Sequence, residues 1–346
     1  MVRDASTQEH PFAGYIRALG KGPHGKRALS FDEARRAMQM ILAGQVLPIQ
    51  LGAFLTLMRV KIETPAEIAG LAQGARDAIG LPAHLGPHPA AVRLDWSAYA
   101  GKRRQLPWFV LSALLLASHG LPVLMHGTDG YQADRVFVPQ ALEALGLQPV
   151  TSLEEASAEL GRCGFAFISL RHLQPMLHEF MGLKPIIGLR SPIHTVVRLL
   201  NPLQAPAMLQ GVFHPGYHDV HQEATRLLGQ PLACVVKGDG GEAERNPDNP
   251  CRVKWTVGQE QFDEEWPALF STRHPKDEDM SVQRLAALWR GESEEEYGLA
   301  AVLGTAAIAL KAMGEADSIE AAEAKARHLW QTRSQAWWMN AKEARP

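Results

Sequence analysis

Three consecutive cations, Lys102, Arg103 and Arg104, follow a short apolar run and precede a helical pattern that begins near Trp108. Where a strand leads into a helix, side-chain cations and the free N–H groups of the helix N-terminus can meet the same anion. We therefore predict that these three residues contact phosphate. The alternative is an ordinary cationic loop surrounded by solvent.

A second set of cations recurs at helical spacing, because Arg190, His194 and Arg198 stand at i, i+4 and i+8. They share one face if the helix continues through Pro192, with Pro192 in the first turn and Ser191 as its cap. That face would present two fixed charges and one titratable imidazole to successive phosphates, without reading sequence. A polar face turned to solvent or to a domain interface is the alternative.

Four histidines invite a chemical interpretation. His126 directly follows an apolar run, where a histidine is more often satisfied by its own turn than used in chemistry. His214, His218 and His221 have the spacing HxxxHxxH, which suggests zinc. A proline and a glycine inside the motif interrupt a helix face, and no cysteine lies nearby. We therefore predict no metal at this motif.

The composition bounds the class of protein. A chain of 346 residues with 46% hydrophobic content can bury a large core and is long enough for two domains, one of them small. The longest apolar stretch, around Leu106 to Ala117, is shorter than the roughly 18 residues of a membrane span. Three cysteines without a CxxC pair argue against a disulfide framework. The polar first ten residues predict no secretory signal, so the expected location is the cytoplasm.

The net charge of −2 conceals an asymmetry between the two parts of the chain. Residues 1–200 contain 20 Lys and Arg against 15 Asp and Glu, a net charge of +5. Residues 201–346 contain 15 against 22, a net charge of −7. A polyanion would therefore bind elements of the first 200 residues.

Residues 1–80 predict a small helical domain. Ser30 and Glu33 form a capping box ahead of an amphipathic run, and Thr64 and Glu67 form another with Pro65 at the first helical position. We expect a further helical segment, from about residue 171 to 198, to join this domain.

Residues 90–346 predict an α/β domain, separated from the bundle by a proline-rich linker. Short apolar runs alternate there with helical patterns, which indicates crossover connections and a mainly parallel central sheet. The predicted strands are residues 92–96, 122–126, 165–170, 207–213, 232–238 and 251–257.

Five segments in this order resemble glycosyltransferase family 3, which includes the anthranilate phosphoribosyltransferases and pyrimidine nucleoside phosphorylases. They are residues 42–71, 120–130, 188–206, 210–217 and 306–326. The resemblance implies the two-domain fold of that family and a homodimer formed through the helical domain.

The chain departs from the family where the resemblance would place the substrate. In the family a Gly-Thr-Gly-Gly-Asp turn binds phosphoribosyl diphosphate through bare N–H groups. Here the turn reads SAYAGKRRQ, and Gly101 is its only glycine. The family's His-Gly-Asn-Arg corresponds to His126-Gly127-Thr128-Asp129, with an acid in place of a cation. Gly101, His126 and Gly127 therefore form a vestigial substrate site.

The transferases that the chain resembles bind magnesium through an adjacent Asp-Glu pair, since this metal prefers hard oxygen ligands. The matching stretch of this chain puts Ala243 before Glu244, so the pair is half lost. Asp239 and Glu244 remain as weak metal candidates.

These departures resemble a divergent branch of the family, the YbiB-type proteins, which bind nucleic acid without strong sequence preference. We therefore predict a homodimer that binds DNA or RNA across a basic interdomain groove and needs no cofactor. The phosphate contacts are expected from Lys102, Arg103, Arg104, Arg190, His194 and Arg198, and no catalytic residue is assigned.

Two alternatives to nucleic-acid binding stay open. The first is a phosphoribosyltransferase or phosphorylase with a remodelled site, with magnesium on Asp239 or Glu244. The second is a cleft for another phosphorylated small molecule, such as a nucleotide.

Overall fold

The computed structural model describes residues 9–82, 85, 92–130 and 134–337, apart from the side chains of Pro23 and Asp239. The chain divides into two compact units. The helical unit comprises Met1–Gly80 and Met176–Leu200. The α/β unit comprises Leu81–Pro175 and Asn201–Pro346.

Residues 9–80, the described part of the first segment of the helical unit, contain five helices. They are α1 (Ala13–Gly20), α2 (Gly22–Gly25), α3 (Phe31–Leu42), α4 (Pro48–Lys61) and α5 (Pro65–Ile79). Both predicted capping boxes are present, at Ser30–Glu33 and Thr64–Glu67. Glu67 is fully buried and also accepts hydrogen bonds from Lys61 Nζ at 2.7 Å and the Leu29 N–H at 2.9 Å. One carboxylate thus joins the start of α5 to the end of α4 and to the segment before α3.

The described residues of the α/β unit form one sheet of seven strands. They are β1 (Leu94–Ala98), β2 (Val123–Gly127), β3 (Phe165–Ser169), β4 (Ala207–Val212), β5 (Leu232–Lys237), β6 (Cys251–Val257) and β7 (Glu260–Trp266). Their order is β3-β2-β1-β4-β5-β6-β7, with parallel pairing from β3 to β5 and antiparallel pairing from β5 to β7. The predicted mainly parallel sheet is confirmed.

Strand β7 has no counterpart among the predicted strands. Its sequence, EQFDEEW, is acidic and mostly exposed, and the strand lies at the edge of the sheet. An exposed edge strand has no apolar alternation to reveal it.

Helices cover the sheet, and a second helical segment returns to the helical unit. In chain order they are α6 (Phe109–Ala117), α7 (Val138–Ala144), α8 (Leu153–Cys163), α9 (Leu170–Leu173), α10 (Pro175–Met181), α11 (Lys184–Ile187), α12 (Ile193–Val196), α13 (His218–Leu227), α14 (Gln283–Arg290), α15 (Glu296–Ala312) and α16 (Ile319–Thr332). Every residue of α6 is buried, as its continuous apolar sequence requires. Within the described residues, no helix has the length and apolarity to cross a membrane.

The strand order creates a topological switch point between β1 and β4. From β1 the chain builds outward through β2 and β3 on one side, and β4 and β5 occupy the other side. In open parallel sheets, ligands bind in the crevice outside the carboxyl ends of the strands at such a point. The segments that follow β1 and β4 are therefore where a functional site is expected.

Candidate functional site

The turn that follows β1 is closed by a carboxylate of the protein itself. The N–H groups of Ala100 and Gly101 both donate to Glu242 Oε1, at 2.7 and 2.5 Å. Arg135 Nη1 donates to the carbonyl oxygens of the same two residues, each at 3.0 Å. Gly101 has φ +66°, and a Cβ there would lie 2.8 Å from the Phe137 ring, so only glycine fits. All four of these main-chain polar groups thus have partners inside the protein.

Glycines on neighbouring strands let Glu242 reach this position. A Cβ at Gly211, in β4, would lie 2.2 Å from the carbonyl carbon of Glu242. A Cβ at Gly238, just after β5, would lie 1.4 Å from the carbonyl oxygen of Glu242. The backbone at Glu242 is extended, so Glu242 and Glu244 point to the same side, and Ala243 belongs to the hydrophobic core.

Lys102 lies in the interior, which corrects the prediction that it contacts an external phosphate. Lys102 is 1% exposed, and its ammonium group pairs with Glu244 Oε1 at 2.7 Å. Glu244 Oε2 accepts the N–H of Phe109 at 2.8 Å, at the start of α6. The carboxylate therefore takes the place that an anion would have at this helix N-terminus, and Lys102 neutralises it.

Arg103 and Arg104 differ from Lys102, because both side chains are exposed. Arg103 Nε lies 2.9 Å from Asp134 Oδ2, in a pair whose side chains are 62% and 55% exposed. The backbone of this loop is fixed, since the Arg104 carbonyl accepts the N–H of Asp277 at 2.9 Å. Two guanidinium groups are thus presented to solvent from a fixed loop just outside the carboxyl end of β1.

His126 is a buried structural residue in this conformation. The side chain is 0% exposed, with Nδ1 2.7 Å from Tyr99 Oη and Nε2 3.2 Å from Asp95 Oδ2. Gly127 packs against β1 so closely that a Cβ would lie 2.1 Å from the carbonyl oxygen of Ala98. The predicted vestigial substrate site of Gly101, His126 and Gly127 is therefore filled by the protein's own groups.

The predicted single helix face of Arg190, His194 and Arg198 is not formed. Arg190 is exposed but precedes α12, which begins at Ile193, and residues 197–199 form a 3-10 turn. Pro192 is the N-cap residue instead of lying in the first turn, and the Ser191 hydroxyl makes no hydrogen bond. The helix starts later than predicted because proline disfavours helical backbone at the residue before it.

The three side chains nevertheless influence one another. Arg198 Nη1 donates to the main-chain carbonyl of His194, so part of this guanidinium is used within the protein. Burial, together with the charges of Arg198 and Arg190, lowers the pKa of His194 from 6.5 to about 4. His194 is therefore neutral at physiological pH and supplies no charge to a phosphate.

Of the two weak magnesium candidates, Glu244 is already engaged by groups of the protein. Both oxygens of Glu244 are engaged, one by Lys102 and one by the Phe109 N–H. No cluster of three or more metal-ligating side chains occurs in the described part of the chain. The side chain of Asp239, the other weak candidate, lies outside that part.

Two of the three HxxxHxxH histidines also act within the fold. His218 Nε2 contacts the Val212 carbonyl oxygen at 3.0 Å, and His221 Nδ1 contacts Gln210 Oε1 at 2.7 Å. His214 is exposed. The spacing thus serves to attach α13 to β4.

The two-domain fold is that of a glycosyl transferase family, as matches to both of its domains show. Residues 13–79 match the glycosyl transferase family helical bundle domain, and residues 110–334 match the glycosyl transferase family a/b domain. The chain belongs to this family, as the resemblance in its sequence predicted.

Particular relatives point to the anthranilate phosphoribosyltransferase-like members. The chain is 30% identical over 319 residues to an anthranilate phosphoribosyltransferase of Moorella thermoacetica, covering 86% of this chain and 88% of the relative. It is 29% identical over 237 residues to the uncharacterized protein YbiB of Escherichia coli, covering 67% and 72%. The solved anthranilate phosphoribosyltransferase of Thermus thermophilus superposes with a TM-score of 0.77 over 95% of this chain and 97% of that one, at 24% identity.

Sequence reasoning missed Glu242 and Arg135 as residues of the site. A signal for Glu242 was present, because two acids flank Ala243 at i and i+2 and two glycines precede them. Arg135 lies 34 residues from the carbonyl it binds, and no spacing rule connects the two.

We expect Lys102→Ala to destabilise the protein strongly. The change leaves the Glu244 carboxylate buried without its cation, a loss that costs about 3–5 kcal/mol in comparable buried pairs. Arg104→Ala, the exposed control two residues away, should change the free energy of unfolding by less than about 0.5 kcal/mol. Urea unfolding of both variants measures the difference, and equal stabilities would contradict a buried Lys102–Glu244 pair.

We expect His194 to make stability depend on pH. The unfolded chain binds a proton at this side chain below about pH 6.5, and the folded chain binds one only below about 4. The free energy of unfolding therefore has its full value above about pH 6.5. It falls as the pH drops toward 4, by at most about 1.4 kcal/mol per pH unit.

Urea unfolding between pH 4.5 and 7.5 checks this expectation, and His194→Gln should flatten the slope. An NMR titration of His194 with a midpoint near 6.5 would contradict it.

Proposed function

We propose that this chain is a nucleic-acid-binding member of the anthranilate phosphoribosyltransferase-like family, and that it binds DNA or RNA through the phosphate backbone. The observation that carries the proposal is the exposed Arg103–Arg104 pair on a fixed loop at the switch point of the sheet. Arginine is suited to this task because its planar guanidinium group can donate two parallel hydrogen bonds to one phosphate.

The chemistry of the loop favours a long polyanion over a small substrate. A small phosphorylated ligand needs main-chain N–H groups that converge on it, and those of Ala100 and Gly101 are already bonded to Glu242. Exposed guanidinium groups need no enclosed pocket and gain affinity from counterion release along a phosphate chain. The positive balance of residues 1–200 is consistent with such a partner.

The helical unit offers a second exposed group of cations. Lys184 and Arg190 are both exposed, and both charges act on His194. We include Arg190 among the phosphate contacts and give Arg198 a smaller role, because it also binds the His194 carbonyl. His194, being neutral, positions this segment instead of contributing charge.

A remodelled transferase is the second candidate. It is favoured by the Moorella thermoacetica relative, which is named anthranilate phosphoribosyltransferase and shares 30% identity over most of both chains. It predicts that phosphoribosyl diphosphate with magnesium stabilises the protein against heat, as a ligand of the folded state must. The closed turn after β1 opposes it.

We expect the double substitution R103A/R104A to weaken nucleic-acid binding and to reduce its dependence on salt. Each lost phosphate contact lowers the slope of log K against log salt by about 1 on duplex DNA, so the pair should lower it by about 2. Fluorescence anisotropy with single-stranded and duplex oligonucleotides at several salt concentrations measures both quantities.

The matched control for this experiment is R290A/R327A, which removes two exposed arginines from helices of the same unit. It should leave affinity and slope near the wild-type values. Equal effects of the two double variants, or no binding by the wild type at low salt, would overturn the proposal. Lys102 is kept intact, because its removal would confuse unfolding with loss of binding.

A homodimer through the helical unit forms part of the same proposal. Ile49 and Val60 lie 11 residues apart in α4, which places them on one face of the helix, and they are 80% and 70% exposed. Leu47 and Ile62 flank this face and are 53% and 68% exposed. An apolar face of this kind on one helix is suited to a second copy, because a twofold interface pairs the same patch on both subunits.

We expect light scattering to give twice the chain mass of 37.9 kDa. The double substitution I49D/V60D should give monomers, because two buried charges would face each other across the twofold axis. V257D/L269D, which places the same charges at exposed apolar positions of the α/β unit, is the control and should remain dimeric. A monomeric wild-type protein would contradict this part of the proposal.

A further inference from the structure

Glu242 stands where an anionic ligand would meet the turn after β1. One of its carboxylate oxygens accepts two converging N–H groups, those of Ala100 and Gly101. A phosphate oxygen would accept the same two donors. We infer that Glu242 is the residue that closes this turn to phosphate ligands by occupying its donors, and that shortening this side chain creates a site for a small phosphate anion at the switch point.

The close approach of the Glu242 main chain to its neighbours brings the carboxylate to the turn. Gly211 and Gly238 leave room for the main chain at Glu242 to approach β4 and the end of β5. Any side chain at Gly238 would collide with the Glu242 carbonyl oxygen at 1.4 Å. The residue is 1% exposed, so solvent does not compete for its oxygens. Gly211, Gly238 and the Glu242 carboxylate thus act together to close the turn.

The groups around Glu242 suit an anion of higher charge. Arg135 reaches the turn and donates to its two carbonyl oxygens. A Cβ at Gly240, in the loop that carries Glu242, would lie 3.4 Å from Arg135 Nη1, so this loop and the guanidinium lie close together. With Glu242 present, its carboxylate oxygen occupies the two main-chain donors. With Glu242 shortened, the donors and the nearby cation are left for a ligand.

This inference is separate from nucleic-acid binding, which rests on the exposed Arg103 and Arg104 side chains. It assigns a determinant of ligand choice: the same fold would admit or exclude diphosphate according to one side chain.

The test uses the full chain, inorganic pyrophosphate without metal, and four proteins: wild type, E242Q, E242A and E242S. Glutamine keeps an acceptor oxygen at the same reach, so E242Q should remain closed. Alanine and serine are too short to reach the turn. Thermal stabilisation gives the affinity, and ¹⁵N chemical shifts of the Ala100 and Gly101 amides report binding in the turn instead of at surface arginines.

We expect pyrophosphate to move these two amide signals in E242A and E242S but not in wild type or E242Q. The gain in affinity should be about tenfold or more, since two hydrogen bonds to a charged group become available. Movement of both signals in the wild type, or folded short variants that do not respond, would overturn the inference. A response of E242Q equal to that of E242A would also overturn it, because charge and not occupancy would then be the cause.

Hydrogen exchange in the wild type provides a measurement that does not depend on the short variants folding. The Ala100 and Gly101 amides should exchange slowly, because both are bonded to a buried carboxylate. Fast exchange at both would show that the turn is open. R103A/R104A should leave their exchange unchanged, so failure of the nucleic-acid proposal and failure of this inference are distinguishable.

Discussion

The structure around the site depends on one interaction, the acceptance of the Ala100 and Gly101 N–H groups by the buried Glu242 carboxylate. Main-chain donors at the end of a buried strand must have partners, and in a phosphate-binding fold a ligand can supply them. Here the protein supplies the partner. The requirement then extends outward: Gly211 and Gly238 must lack side chains, and Gly101 must adopt a positive φ.

Glu244, two residues after Glu242, also satisfies a main-chain N–H group with a buried carboxylate. Its carboxylate serves the N-terminus of α6, and a buried Lys102 balances its charge. The two acids therefore satisfy two kinds of main-chain donor that ligands can use in phosphate-binding folds. These are the N–H groups of the turn after a strand and the N–H groups at a helix N-terminus. In our proposal, external anions bind the exposed pair of arginines beyond the turn, together with the exposed cations of the helical unit. In our proposal, this member of a transferase family keeps the fold and accepts a different kind of ligand.

The sequence predicted the fold well, because helices and buried strands carry strong local signals. The capping boxes at Ser30 and Thr64 and the apolar strands from β1 to β6 lie close to where they were expected. It predicted the site less well. Lys102 was placed in solvent with its neighbours, because sequence adjacency does not reveal that Glu244, 142 residues away, pairs with it. Glu242 was overlooked because a closed turn is made by contacts between distant segments, which local patterns do not encode.

The most direct single measurement is an NMR perturbation map of the ¹⁵N-labelled protein with a short oligonucleotide and, separately, with phosphoribosyl diphosphate and magnesium. If this account is correct, the oligonucleotide shifts the side-chain Nε signals of Arg103 and Arg104, and phosphoribosyl diphosphate leaves the amides of Ala100 and Gly101 where they are. The contradictory result is a shift of those two amides by phosphoribosyl diphosphate with no response of the arginines to the oligonucleotide. That outcome would show an open phosphate turn and would favour the remodelled transferase.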